Sequence, residues 1–310
     1  MRVVVTGGAG FIGGNLCRAL LAAGVEDVIA LDDLSSGFAA NLDGVAATLV
    51  DGDLTDPACL DEVLPDADAI VHLGARPSVP RSIDDPMASH HVNATGTLQV
   101  LEGMRRHGVG HIVVASSSSV YGANPVLPKQ EEMTPMPMSP YAVSKLATEA
   151  YALSHAQVFG LRTLAFRFFN VFGPLQAAGH AYAAVVPAFV AAALAREPVT
   201  VHGDGTQTRD FTYVGSVCEV ITAAVLDGTA HERPVNLAFG GRSSLLEVLN
   251  LLEVILGRPV ERVHVDNRAG DVPHSQADQT RLRSLFPGVE PVSLEDGLRR
   301  TVAWFETGAV

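Results

Sequence analysis

Val3-Val4-Val5-Thr6-Gly7-Gly8-Ala9-Gly10-Phe11-Ile12-Gly13 decides how the rest of the chain is read. A short apolar run, suited to a buried strand, breaks into glycines spaced GxxGxxG at Gly7, Gly10 and Gly13. A segment with helical apolar spacing, Gly13–Ala23, follows. Glycine permits a tight turn and lets the backbone approach a ligand closely. The helix start beyond it offers N–H groups that have no intrahelical partner. Strand, glycine turn and helix in that order form a cradle for a diphosphate.

Outward from this unit the same alternation repeats. Val28–Asp32, Ala47–Asp51, Ala69–Leu73, Ile112–Ser116 and Thr163–Phe168 are apolar nearly throughout, as strands covered on both faces should be. Asn93–Arg106 and Tyr141–Phe159 carry apolar residues at helical spacing between them. The pattern predicts an α/β fold, a Rossmann-type doubly wound parallel sheet, with a smaller C-terminal α/β substrate domain. After about Gly173 Pro, Gly and polar residues become frequent. The expected division is residues 1–172 with 211–236 for the dinucleotide-binding domain, and 173–210 with 237–310 for the second. Ala181–Ala195 is alanine-rich but short and interrupted by Pro187, so it reads as a helix of a soluble protein.

Asp32 closes the second strand at the spacing of an acid that accepts hydrogen bonds from both adenosine-ribose hydroxyls. A carboxylate there repels a 2′-phosphate, so NAD is favoured over NADP. Asp53 and Leu54 follow the third strand, and Leu73 and Ala75 the fourth. Both pairs fall at the C-terminal sheet edge, where open α/β folds bind ligands. The expected cofactor set is Gly7, Gly10, Phe11, Ile12, Gly13, Asp32, Asp53, Leu54, Leu73 and Ala75, together with Tyr141 and Lys145.

Tyr141-Ala142-Val143-Ser144-Lys145 puts a phenol and an ammonium on one helical face, one turn apart. The serine run Ser116-Ser117-Ser118-Ser119 follows the fifth strand. Removing a proton from an alcohol needs a base, and a free tyrosine, with a pKa of about 10, is a poor one at neutral pH. A neighbouring ammonium and a positive nicotinamide favour the phenolate. Lowering the pKa by ~3 units takes about 4 kcal/mol, within reach of Coulomb interactions in a partly desolvated site.

Composition sets limits. Charged residues make up 18% and hydrophobic residues 47%, a globular balance, and the formal net charge of −13 with no Lys/Arg-rich run argues against nucleic acid as a partner. No apolar stretch is long enough for a membrane span, and no CxxC or HExxH motif suggests a metal. The three cysteines, Cys17, Cys59 and Cys218, are odd in number and far apart, which suits reduced thiols in a cytoplasmic protein.

The glycine loop, the serine run ending Val120-Tyr121-Gly122, and Tyr141–Lys145 together resemble an extended short-chain dehydrogenase/reductase. Phe166-Arg167-Phe168-Phe169-Asn170-Val171-Phe172-Gly173-Pro174 and Gly203-Asp204-Gly205-Thr206-Gln207-Thr208-Arg209-Asp210-Phe211 resemble its nucleotide-sugar branch, above all the UDP-glucose 4-epimerase-like epimerases. The resemblance implies NAD-dependent epimerisation at C4 of a UDP-hexose through a transient 4-keto sugar. It casts Tyr141 as base, Lys145 as its electrostatic partner and Ser117 as the hydroxyl that engages the sugar. Asn170, Arg209, Arg268 and Asp271 are implied to hold the nucleotide. In dehydratase relatives an Asp-Glu pair follows the catalytic hydroxyl residue, and decarboxylase relatives carry a glutamate at the Ser119 position; here Ser118 and Ser119 stand there. Glucuronate epimerases offer an arginine just after the Pro174 position, where this chain has Leu175-Gln176-Ala177-Ala178, with Arg81 or His180 as substitutes. Ser275 falls where a bulky residue narrows the sugar pocket of glucose-only relatives, which implies tolerance of an N-acetyl group. The resemblance also implies a homodimer through Asn93–Arg106 and Tyr141–Phe159. Two other readings remain open: a nucleotide-sugar 4-ketoreductase or dehydrogenase, and a non-catalytic NAD-binding regulator of the same fold.

Overall fold

The structure, a computed structural model, describes residues 1–179, 183–266 and 272–308. In chain order its strands are β1 (Arg2–Thr6), β2 (Asp27–Asp32), β3 (Thr48–Asp51), β4 (Ala69–His72), β5 (His111–Ser117), β6 (Arg162–Phe168), β7 (Val171–Phe172), β8 (Val199–His202), β9 (Thr208–Arg209), β10 (Thr212–Tyr213), β11 (Val235–Leu237), β12 (Ser243–Ser244) and β13 (Arg262–Val265). Its α-helices are α1 (Phe11–Ala22), α2 (Pro57–Val63), α3 (Val79–Asp84), α4 (Pro86–His90), α5 (Gly96–His107), α6 (Pro140–Phe159), α7 (Val185–Ala195), α8 (Val214–Leu226), α9 (Leu245–Leu256), α10 (Thr280–Leu285) and α11 (Leu294–Glu306).

Seven strands form one parallel sheet in the order β11-β6-β5-β4-β1-β2-β3. The chain leaves β1 in one direction toward β2 and β3, then crosses back to β4 and the strands beyond. The carboxyl ends of β1 and β4 therefore border a crevice, the usual ligand position in such sheets. This is the doubly wound α/β architecture expected from the alternation of apolar runs.

The pleat divides the core. Val3 and Val5 of β1 pack with Leu16, Cys17 and Leu20 of α1 and with Val217, Ile221 and Ala224 of α8. Val4 packs on the opposite face with Leu60, Val100, Leu101, Met104 and Ala152. Burying each such side chain contributes roughly 1.5–3 kcal/mol. Beyond β6 the remaining strands pair in twos: β10 with β7, β12 with β9, and β13 with β8.

Two local expectations need adjustment. The helix expected from Asn93 begins as a π-helical turn, His91–Thr95, and becomes α-helical only at Gly96. A Cβ at Gly96 would lie 2.1 Å from Leu54 Cδ1, so this start is set by close packing that periodicity does not encode. Pro187 does not interrupt its segment. It sits in the first turn of α7, where a missing N–H removes no helical bond. Among the described residues no helix is long and apolar enough to cross a membrane.

Candidate active site

The glycine turn is locked by its own backbone. Gly7 has φ +71° and donates its N–H to the Leu31 carbonyl at 2.8 Å. A Cβ at Gly13 would lie 2.0 Å from the Gly7 carbonyl oxygen. Helix α1 has Gly10 as its N-cap, no side-chain cap and no acid in its first turn. Its ladder starts with Gly14 N–H on the Gly10 carbonyl at 2.9 Å, so the N–H groups of Phe11, Ile12 and Gly13 precede it. Asp32, at the end of β2, accepts the Ala9 N–H on Oδ2 at 2.9 Å and the Leu34 N–H on Oδ1 at 3.0 Å. Burial raises its pKa against these bonds. Asp53 is exposed and caps the Thr55 N–H at 2.7 Å. Leu54 lies against Gly74, where a Cβ would come within 2.4 Å of its Cδ2. Leu73 and Ala75 flank Gly74 at the end of β4, partly buried.

Tyr141 and Lys145 lie on α6, which starts where Ser139 accepts the Ala142 N–H and Pro140 takes the first helical position. Tyr141 thus sits in the first turn, its N–H donated to Ser82 Oγ at 3.0 Å. Its hydroxyl is pushed up by burial, and a hydrogen bond with Ser117 pulls the other way. Ser117, the last residue of β5, also accepts the Ser119 N–H at 3.1 Å and the Ser119 hydroxyl at 2.9 Å. Lys145 is buried, donates Nζ to the Ala115 carbonyl at 2.9 Å, and is pushed down to about 8 by desolvation. The sheet and α6 therefore bring Ser117 and Tyr141 into contact and put Lys145 one turn behind.

Asn170 and Arg209 line a cleft of about 250 Å3 with Phe172, Gln176, His202, Gln207 and Phe211. Asn170 Nδ2 donates to the Asp210 carbonyl at 3.3 Å, and Arg209 Nη1 to the Thr208 and Pro273 carbonyls at 3.0 and 3.3 Å. Ser275 joins this edge by donating its N–H to the Thr208 carbonyl at 3.0 Å. Arg268, Asp271 and His180 lie outside the described residues.

The match to known proteins is extensive. Residues 3–238 match the family model described as the NAD dependent epimerase/dehydratase family. The chain belongs to the NAD dependent epimerase/dehydratase family. It is 38% identical to a UDP-glucose 4-epimerase of Mycolicibacterium smegmatis, over 98% of each chain. A solved UDP-N-acetylglucosamine 4-epimerase from Methanobrevibacter ruminantium, in complex with UDP-N-acetylmuramic acid, superposes with a TM-score of 0.92 at 34% identity, covering 99% of this chain and 98% of that one. A UDP-glucose 4-epimerase of Thermus thermophilus in complex with NAD superposes with a TM-score of 0.89 at 36% identity over the whole of both chains.

NAD is the cofactor of this family, and the residues present fit it. The glycine turn leaves no room for side chains at Gly7 and Gly13, the helix start has no side-chain cap and no acid in its first turn to compete with a diphosphate, and Asp32 ends β2 with both oxygens held by backbone N–H groups.

Several buried polar residues of this family member went unread in the sequence. His72, pushed down to about 3 by burial, bridges Thr6 Oγ1 at 2.7 Å and Thr97 Oγ1 at 3.0 Å. Asn93, inside the π turn, reaches Ser144 Oγ at 2.9 Å and accepts the Arg76 N–H at 2.7 Å. Glu149 and Arg167 form a buried two-bonded ion pair, Nε to Oε2 at 2.9 Å and Nη2 to Oε1 at 2.7 Å. The only sequence signal for Glu149 was its place two turns along the face that carries Tyr141 and Lys145. Arg167 stood within the Phe166–Pro174 run and Asn93 at the start of an expected helix, with no role read for either.

Proposed function

We propose that the protein is a UDP-sugar 4-epimerase that inverts C4 of a UDP-hexose with NAD held throughout. The observation that carries this reading is the placement of Ser117, at the end of β5, beside the Tyr141 hydroxyl, with Lys145 one turn behind donating to the Ala115 carbonyl at 2.9 Å and the glycine cradle on the same sheet edge. NAD, when bound, supplies the hydride acceptor and donor and a positive charge beside the phenol. Tyr141 takes the proton of the sugar 4-hydroxyl and later returns one to the 4-keto oxygen. Ser117 holds that oxygen and shares the proton. Lys145, a buried ammonium, favours the phenolate. The adenosine ribose falls to Asp32 and the diphosphate to Gly10, Phe11, Ile12 and Gly13, with Asp53, Leu54, Leu73 and Ala75 flanking the cofactor. Asn170, Arg209 and, beyond the described residues, Arg268 and Asp271 grip the UDP. A held nucleotide lets the sugar turn while its handle stays fixed.

Epimerisation is favoured over dehydration because the residues after Ser117 carry hydroxyls. Ser119 is committed to Ser117 at 2.9 Å, and Glu131, the next acid along the chain, accepts the Asn236 N–H at 2.9 Å. Ser275 is small, which fits an N-acetylated hexose. We also propose the division into residues 1–172 with 211–236 for NAD and 173–210 with 237–310 for the nucleotide sugar. A homodimer through α5 and α6 is supported by the exposed Val143, Tyr151, Val158 and Phe159 on α6. A cytoplasmic location fits the three free cysteines.

The test is incubation of the purified protein with a panel of UDP-sugars and no added cofactor. A C4-inverted product without accumulation of NADH is expected. Stoichiometric cofactor consumption would favour a ketoreductase, and no turnover of any UDP-sugar would refute the reading.

A further inference from the structure

The tip of β5 projects past its neighbour. Strand β4 pairs with β5 only as far as His72 opposite Val114, whereas β6 continues to Phe168 opposite Ser117. Ala115, Ser116 and Ser117 therefore have sheet bonds on one side only. Each is tied instead to a different turn of α6. The Ala115 carbonyl accepts Lys145 Nζ at 2.9 Å, Ser116 donates its hydroxyl to Glu149 Oε2 at 2.7 Å, and Ser117 meets Tyr141.

The tie from Ser116 to Glu149 is the most heavily built. Glu149 and Arg167 are both nearly solvent-free, with side chains 5% and 3% exposed. A buried ion pair is weak evidence for stability, because desolvation of both charges opposes their attraction. Here two of the Arg167 bonds go to Glu149, and a third runs from its Nη1 to the Glu131 carbonyl at 3.4 Å. Its guanidinium also lies 4.7 Å from the ring centre of Tyr121, whose hydroxyl donates to Asn236 Oδ1 at 2.6 Å. This anchors Glu149 to β6, β11 and the loop after the serine run. The carboxylate is thereby a rigid post, and Ser116 is the one residue of the β5 tip bonded to it.

We propose that Glu149 and Arg167, acting through Ser116, are positioning residues that hold Ser117 in register with Tyr141. The inference rests on the reading of Ser117 and Tyr141 as the proton-transfer pair. None of the three touches substrate in this scheme. Ser116→Ala cuts the link while leaving both bonds between Glu149 and Arg167 in place, so it isolates the positioning role from the ion pair.

The experiment uses the full-length NAD-loaded protein and titrates the Tyr141 phenol by ultraviolet difference spectroscopy, with Tyr141→Phe as the reference. The Ser117 hydrogen bond favours the phenolate, so displacing Ser117 moves the midpoint up. Ser116→Ala is expected to raise it by about half a unit or more, in the direction of Ser117→Ala. The Ser116→Ala/Ser117→Ala double variant is expected to go no higher than Ser117→Ala alone. With the sugar nucleotide that turns over, kcat should fall about tenfold in Ser116→Ala with KM within about twofold. A wild-type midpoint in Ser116→Ala, or fully additive shifts in the double variant, overturns the proposal even if melting temperature falls. Should Ser116→Ala not fold, Ser116→Cys, isosteric but a weaker donor, is read by the same criteria. The phenol titration needs no turnover, so absence of epimerase activity refutes the function without deciding this point.

Discussion

The glycine cradle and the edge that carries Arg209 and Ser275 are both ligand surfaces, but they are built differently. The cradle is contiguous. Residues 3 to 32 make it, and its locks lie within that one strand–helix–strand unit: the Gly7 N–H on the Leu31 carbonyl, the Ala9 N–H on the Asp32 carboxylate, and the Gly13 approach to Gly7. The other edge is assembled from afar. The Thr208 N–H donates to Pro273 at 3.1 Å and the Ser275 N–H returns to Thr208, while Asn170 arrives from β6. A contiguous site depends on backbone geometry and tolerates little. An assembled site depends on side chains held by long-range pairing, and changes there retune it.

Tyr141→Phe sharpens the contrast most. It should lower turnover by up to about 10⁴-fold, the upper range for loss of a positioned acid-base group, while the copurifying NAD content stays as in wild type. Retained turnover would remove Tyr141 from the chemistry.

Asp210 tests the assembled edge through pH. It is buried, accepts the Ala277 N–H at 3.1 Å, and its carboxyl is pushed up to about 7 by desolvation. With the folded value above the unfolded one of 3.8, the folded state binds the extra proton. The stability this group contributes is present below about pH 4 and is lost as pH rises through 7, about 4 kcal/mol in order of magnitude. Asp210→Asn should flatten the fall in denaturation midpoint between pH 4 and 7. An unchanged slope would mean that Asp210 ionises without cost.

Gly13→Ala probes the cradle. The new methyl would sit 2.0 Å from a backbone carbonyl with no flexible group to move aside. A loss of about 2–3 kcal/mol in denaturant stability and of bound NAD is expected. Wild-type NAD content in a stable variant would break the claim that this turn tolerates no side chain.

Ser275→Tyr carries the smallest effect. Filling the assembled edge should select against an N-acetylated hexose relative to the plain one by roughly 10–200-fold in kcat/KM. Equal losses on both substrates would place Ser275 away from the sugar.

The sequence by itself determined what depends on local backbone geometry and period. The apolar runs and helical spacing named the parallel sheet, and the ends of β1 to β6 fall within one residue of their expected ranges. Gly7 and Gly13 specify the turn because no side chain fits at either, and Tyr141 and Lys145 share a helical face by spacing alone. Only the tertiary structure decided what depends on who is buried beside whom. Glu149 and Arg167 are ordinary charged residues until α6 and β6 pack and take water from both. Asn93 and His72 are ordinary polar residues until the π turn meets α6 and β4 meets α5. Desolvation and partnership between distant segments are properties of the packed chain, so no local pattern announces them.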